Sequence, residues 1–236
     1  MQISGNIYGL NTSRLIVDSH MISNMEWGAV AYLTNSKYGR CTNNSCVTVT
    51  LNNCSYCITG IGADSVSEVQ STTTCSTAAN KYDGAKGMLA STTGNITGIY
   101  DMSGGAYDYV MGNVSSTSGS YVFYPSESKF SSDWYMINET KYLTTYAYGT
   151  DGVTQKAYNR SRLGDATGEI VLSTGGSMAT GGWYNGRTYF PGSWLSWFTR
   201  GGMFNGGYNR GSIFNFNLDS GGAYSDAEYS THAVLV

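Results

Sequence analysis

The fold of this chain is decided by a glycine-rich stretch near its middle, which reads Gly94-Asn95-Ile96-Thr97-Gly98-Ile99-Tyr100-Asp101-Met102-Ser103-Gly104-Gly105-Ala106-Tyr107-Asp108-Tyr109-Val110. Short runs of β-branched and aromatic residues alternate here with Gly, Asn and Asp, the residues that favour turns. The pattern predicts two strands, Ile96–Asp101 and Tyr107–Met111, separated by turn residues.

The same pattern continues over much of the chain and predicts further strands. Two Asn-Gly pairs, Asn185-Gly186 and Asn205-Gly206, are typical of hairpin turns, because a type I′ turn needs positive φ. The chain has only 2 prolines and no linker-like tract, so we expect one α+β domain over residues 1–236 with long irregular loops. The further strands are predicted at Val47–Leu51, Ser120–Tyr124, Glu169–Ser173, Trp197–Arg200, Ser212–Asn217 and His232–Val236.

A single helix is predicted, over residues 23–36. Ser23 and Glu26 have the S-x-x-E spacing of a capping box directly before an apolar run. Gly39, which follows Lys37, is a natural stop for this helix. The expected buried face consists of residues that recur every four positions, Met21, Met25, Ala29 and Leu33, widened by Trp27 and Val30.

Composition excludes several classes of protein. Charged residues make up 12% of the chain and the net charge is −3, so no basic surface is available for nucleic acid. No segment approaches the roughly 20 apolar residues of a membrane span, and the first residues lack a signal peptide. We therefore expect no membrane insertion, and either an excised domain or a secretion route that needs no such signal.

The 5 cysteines all lie between Cys41 and Cys75, in a polar segment that a core would hold poorly. Disulfides would restrain such a loop, as they do in secreted proteins. We predict that Cys41 pairs with Cys46 and Cys54 with Cys75, which leaves Cys57 free. The alternative is a zinc site made of Cys41, Cys46, Cys54 and Cys57, although its first spacing is loose for such a site.

The sequence offers few candidates for catalysis. The 2 histidines, His20 and His232, stand at opposite ends of the chain, and we expect both to be structural. Asp165 and Glu169, in the segment Leu163–Glu169, could form a carboxylate pair or a calcium loop. A turn followed by a strand is the interpretation that the sequence favours, since no EF-hand spacing is present.

Three segments carry a resemblance to a known family. The stretch from Asn95 to Val110 resembles the signature N-x-x-G-L-Y-D-M-x-G-N-V-W-E-W-V of formylglycine-generating enzymes. Phe198-Thr199-Arg200-Gly201-Gly202 resembles the R-G-G motif of the same superfamily, and Trp27-Gly28-Ala29-Val30-Ala31-Tyr32 resembles its early helix. The resemblance implies a C-type-lectin-like fold of the formylglycine-generating-enzyme type. The identical positions are Asn95, Gly98, Tyr100, Asp101, Met102, Gly104 and Val110.

The chain also resembles gut-bacterial secreted proteins through segments Glu26–Gly39, Asp101–Gly112 and Leu163–Glu169, and its arrangement resembles the variable proteins of diversity-generating retroelements. Those proteins use this fold to display a hypervariable C-terminal surface. The chain departs from the enzymes, which bind copper through a C-terminal cysteine pair, because no cysteine follows Cys75. A copper–thiolate site needs thiolates, so we expect neither formylglycine-generating activity nor a cofactor.

The composition of residues 181–229 resembles that of antibody loops. Rigid aromatic residues alternate with Gly, Asn and Ser, which supply contact area and adaptable hydrogen bonds. We predict that this segment forms a ligand-binding face, and the resemblance to variable proteins implies that the face is hypervariable, although some of its aromatic residues must belong to strands. The predicted binding residues are Trp183, Met203, Phe204, Asn205, Tyr208, Asn209, Arg210, Asn215, Asn217, Asp219, Tyr224, Asp226, Glu228 and Tyr229.

These patterns together predict a non-catalytic recognition module. We expect it outside the cell, on a cell surface or a virion, as part of a larger chain or assembly. Its expected partner is a protein or glycan on the surface of another cell. Two alternatives stay open, an enzyme of the same fold with a relocated site and a structural tip domain of a fibre.

Overall fold

The architecture is α+β, with one short helix packed against a curled sheet. It was determined as a computed structural model. The structure describes residues 19–43, 45–47, 49, 82–85, 87–114, 143–147, 161–170, 188–191, 195, 197–203, 211–219 and 229–235.

Helix α1 spans Asn24–Thr34, and short 3₁₀ helices cover Gly87–Ala90 and Gly168–Ile170. The strands in the described part of the chain are β1 (Ser19–Met21), β2 (Cys41–Thr42), β3 (Ser45–Cys46), β4 (Tyr107–Val114), β5 (Thr144–Tyr146), β6 (Trp197–Gly202), β7 (Gly211–Asp219), β8 (Tyr229–Ser230) and β9 (Ala233–Leu235).

The main sheet is built around β4. Its order is β5-β4-β6-β7, with β8 also paired to the start of β4. Strands β6 and β7 run antiparallel to their neighbours, whereas β5 and β8 run parallel to β4. A separate antiparallel pair joins β1 to β9. Strands from distant parts of the chain therefore meet at β4. Their register along β4 determines which side chains become neighbours in the clusters described below.

The predicted helix start is confirmed. Ser23 is the N-cap, its side chain accepts from the Glu26 amide, and Glu26 in turn accepts from the Ser23 amide at 2.8 Å. The helix ends at Thr34, two positions before the predicted Ser36. Gly39 lies so close to the last turn that a Cβ there would come within 2.6 Å of the Thr34 Cα, so the chain can reverse here only with glycine.

The predicted buried face of the helix is wrong for Met25, Ala29 and Leu33, whereas Trp27 is buried and Val30 packs against the core as predicted. Met25 and Leu33 are 36% and 56% exposed, and Ala29 is exposed as well. The helix turns a smaller and more polar face inward because its neighbour is backbone: a Cβ on Gly28 would stand 2.6 Å from the Asp165 Cα. The buried residues of α1 are Asn24, Trp27, Gly28, Ala31 and Thr34.

Several predicted strands are confirmed. Tyr107–Met111 lies in β4, Trp197–Arg200 in β6, Ser212–Asn217 in β7, and His232–Val236 contains β9. Ser120–Tyr124 and both Asn-Gly turns lie outside the described residues. The same holds for most of Val47–Leu51, whose described members, Val47 and Val49, belong to no strand.

The predicted strand Ile96–Asp101 is wrong, and so is the described start of Glu169–Ser173, whose residues 171–173 lie outside the described part of the chain. Residues 96–101 form turns, because the Asn95 carboxamide accepts from the amide and the hydroxyl of Thr97, and because Asp101 has a φ of +60°. Residues 168–170 form a 3₁₀ helix rather than a strand. Here Glu169 accepts hydrogen bonds from the amides of Gly164 and Thr167, which folds the chain back on itself.

The three segments that carry the family resemblance lie in contact. The Gly104 amide donates to the Gly201 carbonyl at 2.8 Å. Gly201, with a φ of +76°, packs so closely that a Cβ would lie 3.3 Å from the Trp27 ring and 3.4 Å from the Met102 carbonyl. Trp27, the stretch around Met102 and the Arg-Gly-Gly motif therefore meet at one point of the core.

Cys41 and Cys46, the first of the two predicted pairs, form a disulfide across the β2–β3 hairpin. Beside it, the buried Arg40 guanidinium donates to the carbonyls of Val47, Leu89 and Ser91, which joins the hairpin to the segment that precedes β4. Cys54, Cys57 and Cys75 lie outside the described residues.

Candidate ligand-binding surface

The two faces of the main sheet differ in character. The inner face, turned toward α1, carries Val110, Phe198, Phe214 and Phe216, all buried in the core cluster with Trp27. Successive side chains of a strand point to opposite faces. Tyr107 and Tyr109 on β4, and Asn217 and Asp219 on β7, therefore belong to the outer face.

A cluster of tyrosines around one carboxylate stands on this outer face. The hydroxyls of Tyr109 and Tyr229 donate to Asp219, at 2.5 Å to Oδ1 and 3.1 Å to Oδ2. The Tyr229 ring stacks on Tyr109, with centroids 5.2 Å apart, and on Tyr107 at 6.0 Å. Tyr109, Asp219 and Tyr229 are half-buried, whereas Tyr107 is buried. We call these four residues the tyrosine cluster.

Of the five predicted binding residues that the structure describes, it brings two together, Asp219 and Tyr229. Asn217 is half-buried on the same strand as Asp219, whereas Met203 and Asn215 are buried, at 9% and 0% exposure. The remaining predicted residues lie outside the described part of the chain: Trp183, Phe204, Asn205, Tyr208, Asn209, Arg210, Tyr224, Asp226 and Glu228.

Tyr107 and Tyr109 were not among the predicted binding residues. They belong to the glycine-rich stretch that decides the fold. A Tyr-x-Tyr alternation shows that two side chains share one face of a strand, but it does not show which face is covered. The signal lies in residues 107–110, where tyrosines at period two alternate with Asp108 and Val110. That alternation places both rings on the face opposite Val110.

A second cluster joins the end of the chain to the inner face of β4. His232 Nδ1 lies 3.2 Å from Oδ2 of Asp108, and His232 Nε2 lies 3.0 Å from the Tyr100 carbonyl. The Ser230 hydroxyl donates to Oδ1 of Asp108 at 2.6 Å. Both ring nitrogens face groups that only accept: Nε2 is within hydrogen-bond distance of the Tyr100 carbonyl, and Nδ1 is in ion-pair contact with Asp108 without hydrogen-bond geometry. These surroundings favour the doubly protonated imidazolium.

This arrangement of Ser230, Asp108 and His232 does not activate the serine. A general base must accept the proton of the nucleophile, but both nitrogens of His232 face other acceptors and the serine donates to the carboxylate instead. His20 is also part of a structural contact, since its Nε2 lies 2.9 Å from Glu26 at the helix cap. Both histidines have the structural surroundings that the sequence predicts.

The carboxylates of segment 163–169 hold their own loop. Asp165 is fully buried, and its oxygens accept from the Tyr146 hydroxyl, the Arg162 amide and the amide and hydroxyl of Thr167. Glu169 bonds to loop amides as described above. These bonds make both carboxylates part of the turn. Within the residues that the structure describes, no group of three His, Cys, Asp or Glu side chains could hold a metal ion.

The fully buried Arg200 connects this loop to helix α1. Its guanidinium donates to Asn24 Oδ1 at 3.1 Å, to the Asp165 carbonyl at 3.2 Å and to the Ala166 carbonyl at 3.1 Å. Burial lowers the pKa of Arg200 to about 10, against the opposing effect of the Asp165 charge. The side chain is therefore still a cation at neutral pH, and the Arg-Gly-Gly motif acts here as a structural support.

The His232 contacts predict a pH dependence of stability. Burial alone would lower the pKa of His232, but Asp108 and the Tyr100 carbonyl outweigh it and raise the pKa from 6.5 to about 9. The resulting stabilisation, about 3 kcal/mol, should be complete below pH 6.5 and lost as the pH rises through about 9. Urea unfolding at both ends of this window should show the loss.

His232→Gln is the matched control for that measurement, because it removes the titrating imidazole and leaves the other titratable groups of the protein unchanged. Its stability should be lower than that of the wild type below pH 6.5 and should change less across the window. Parallel pH profiles for the two proteins would contradict the assignment.

The chain matches no protein-family model, no curated protein and no solved structure. Among the described residues, no helix is long and apolar enough to cross a membrane.

Proposed function

We propose that this chain is a non-catalytic recognition module with a C-type-lectin-like fold, and that it binds its ligand with the outer face of the main sheet. The observation that carries the proposal is the tyrosine cluster. Both faces of the sheet are buried over most of the described strands, but where β7 ends and β8 begins three half-buried residues of the outer face, Tyr109, Asp219 and Tyr229, stay partly accessible around the Asp219 carboxylate.

The chemistry of the cluster suits recognition. Tyrosine supplies a large rigid contact area at low entropic cost, together with a hydroxyl that can donate or accept. Asp219 adds a half-buried acceptor whose position is fixed by two hydroxyl donors. Along the chain, segment 220–228 lies between Asp219 and Tyr229 and contains three of the predicted binding residues, Tyr224, Asp226 and Glu228. Connections between the strands of a rigid scaffold commonly carry binding function.

The finer fold assignment rests on the three convergent segments. Trp27, Met102 and Gly201 come from the regions that resemble the early helix, the central signature and the Arg-Gly-Gly motif, and they pack on one another. The same contacts favour a scaffold role for those motifs. The function proposed is accordingly ligand binding outside the cell, on a cell surface or virion, with a protein or glycan of another cell as partner.

Diversification by a retroelement is part of this proposal. Adenine mutation of Asn codons yields Tyr, Ser, Asp and Gly, which together with Asn dominate residues 203–229. Met203 and Glu228 do not arise from an Asn codon that keeps its third-position pyrimidine, so we expect them to be constant. The burial of Met203 supports a packing role for that residue.

The test is binding to an array of glycans and cell-surface ectodomains, followed by comparison of two double variants. Asp219→Ala/Tyr229→Ala removes two of the three half-buried residues of the tyrosine cluster. Tyr82→Ala/Asp83→Ala is the matched control, since it deletes an exposed tyrosine and an exposed aspartate elsewhere on the protein.

We expect the cluster variant to lose at least about tenfold in affinity for the captured ligand, because anchors of this kind typically contribute more than 1 kcal/mol each. The control variant should bind as the wild type does, and both should keep a cooperative melting transition. Equal affinities for all three proteins, or no binding to any array, would refute the proposal.

A further inference from the structure

The segment that carries Tyr229 is attached to β4 through side chains on either side of the strand. The backbone register sets Tyr229 beside Tyr107 and Ser230 beside Asp108. Ser230 donates to Asp108 as described, and the Thr231 hydroxyl donates to the Tyr109 carbonyl at 2.9 Å. The two-residue strand β8 is thus held on β4 by side-chain hydrogen bonds in addition to its backbone pairing.

Asp108 is the centre of this attachment. It is 1% exposed, and its two carboxylate oxygens contact Ser230 and His232, two residues of the same short segment. His232 extends the attachment to the Tyr100 carbonyl, its ring meets Trp27 edge-on at 6.0 Å, and its carbonyl accepts from the Ile22 amide. His232 therefore contacts three separate parts of the core, besides Asp108: the Tyr100 carbonyl, the Trp27 ring and the Ile22 amide.

We propose that Asp108 and His232 act as positioning residues for Tyr229. They lie on the inner side of the sheet, and by fixing the segment that carries Tyr229 they hold its ring against Tyr107 and Tyr109 on the outer face. The consequence for ligand binding rests on the function proposed above, whereas the coupling of His232 to Tyr229 does not. Asp108 and His232 themselves need not touch the ligand.

The coupling depends on the proton of His232. The charged groups that face this ring are Asp108 of β4 and Asp101 of the preceding turn; α1 contributes the uncharged Trp27 ring. A neutral imidazole has a single N–H and cannot donate to both Asp108 and the Tyr100 carbonyl. One contact is then given up, and the segment from Tyr229 to His232 relaxes on β4.

Amide NMR of the full chain tests this coupling without any ligand. The background variant is Tyr229→Phe, which keeps the stacked ring but removes a phenol that would itself titrate. We expect the amide signals of residues 229 and 230 to move with the same midpoint as the His232 ring, near pH 9. The Thr42 amide, in the remote β2–β3 hairpin, reports general effects of alkali and should not follow that midpoint.

Adding His232→Gln should abolish the movement at residues 229 and 230. If that variant does not fold, Ser230→Ala replaces it: the His232 ring should still titrate, and the amplitude at residue 229 should fall. The proposal is overturned if the ring titrates while residues 229 and 230 drift only as Thr42 does. That result would overturn the coupling of His232 to Tyr229 but not the proposed function. The proposed function is tested by the array experiment with the Asp219→Ala/Tyr229→Ala variant.

Discussion

Replacement of Arg200 by methionine should lower the free energy of unfolding by about 3–5 kcal/mol, because three buried oxygen acceptors would each lose a donor at a cost of about 1–3 kcal/mol. Methionine fills a similar volume but donates no hydrogen bond. The Asn24 carboxamide oxygen and the carbonyls of Asp165 and Ala166 would then be buried without this donor. Urea or thermal unfolding followed by circular dichroism measures the loss.

Two further variants sharpen the Arg200 experiment. Arg200→Lys keeps the charge but loses the planar fork that reaches acceptors on two elements, so it should recover only part of the stability. Arg162→Met is the matched control, because that arginine is exposed and bonds to the Thr145 carbonyl at the rim of the same network. An Arg200→Met protein as stable as Arg162→Met would show that the network contributes little.

Replacement of Trp27 by alanine should also cost about 3–5 kcal/mol, because the indole is fully buried and its removal opens a cavity in the core. The indole N–H donates to the Ile213 carbonyl at 2.8 Å. Its ring covers Gly201, and it lies 5.9 Å from the Arg200 guanidinium. The change therefore weakens the contact between α1 and the three convergent segments, and thermal unfolding should show a large drop in melting temperature.

Trp27→Phe separates the two parts of this effect, since it retains most of the apolar volume and loses only the donor; its loss should be smaller. Leu33→Ala on the exposed side of the same helix is the control and should change stability by less than about 0.5 kcal/mol. Equal melting temperatures for Trp27→Ala and Leu33→Ala would mean that the indole is not a core residue.

Features fixed by neighbouring residues could be predicted from the sequence. The helix start depends on Ser23 and Glu26, which are three positions apart, and it lies where the capping box indicates. Strands β4, β6 and β7 follow from local runs of aromatic and β-branched residues in the same way. In each case the deciding interaction lies within a few positions along the chain.

Features fixed by distant residues could not be predicted. The helix buries Asn24 because Arg200 and Tyr146 supply partners for its carboxamide, and it buries Gly28 because the Gly164–Asp165 backbone is in contact there. The spacing of apolar residues along the helix contains no information about either of these long-range contacts. The tyrosine cluster is similar, since Tyr109, Asp219 and Tyr229 are brought together by three strand pairings, β4 with β6, β6 with β7 and β4 with β8.

The pairing of β1 with β9 has a consequence for how the chain folds during synthesis. Ser19 is in register with Leu235, and the buried partners of Trp27 and Asn24 include Ile213 and Arg200. When α1 leaves the ribosome, none of these partners has been made, and an isolated helix of 11 residues is marginal in water. The core closes only after the last strand emerges. Contacts between such distant residues form slowly, so the apolar segments that they cover stay exposed until β9 has been made, and such exposure favours aggregation.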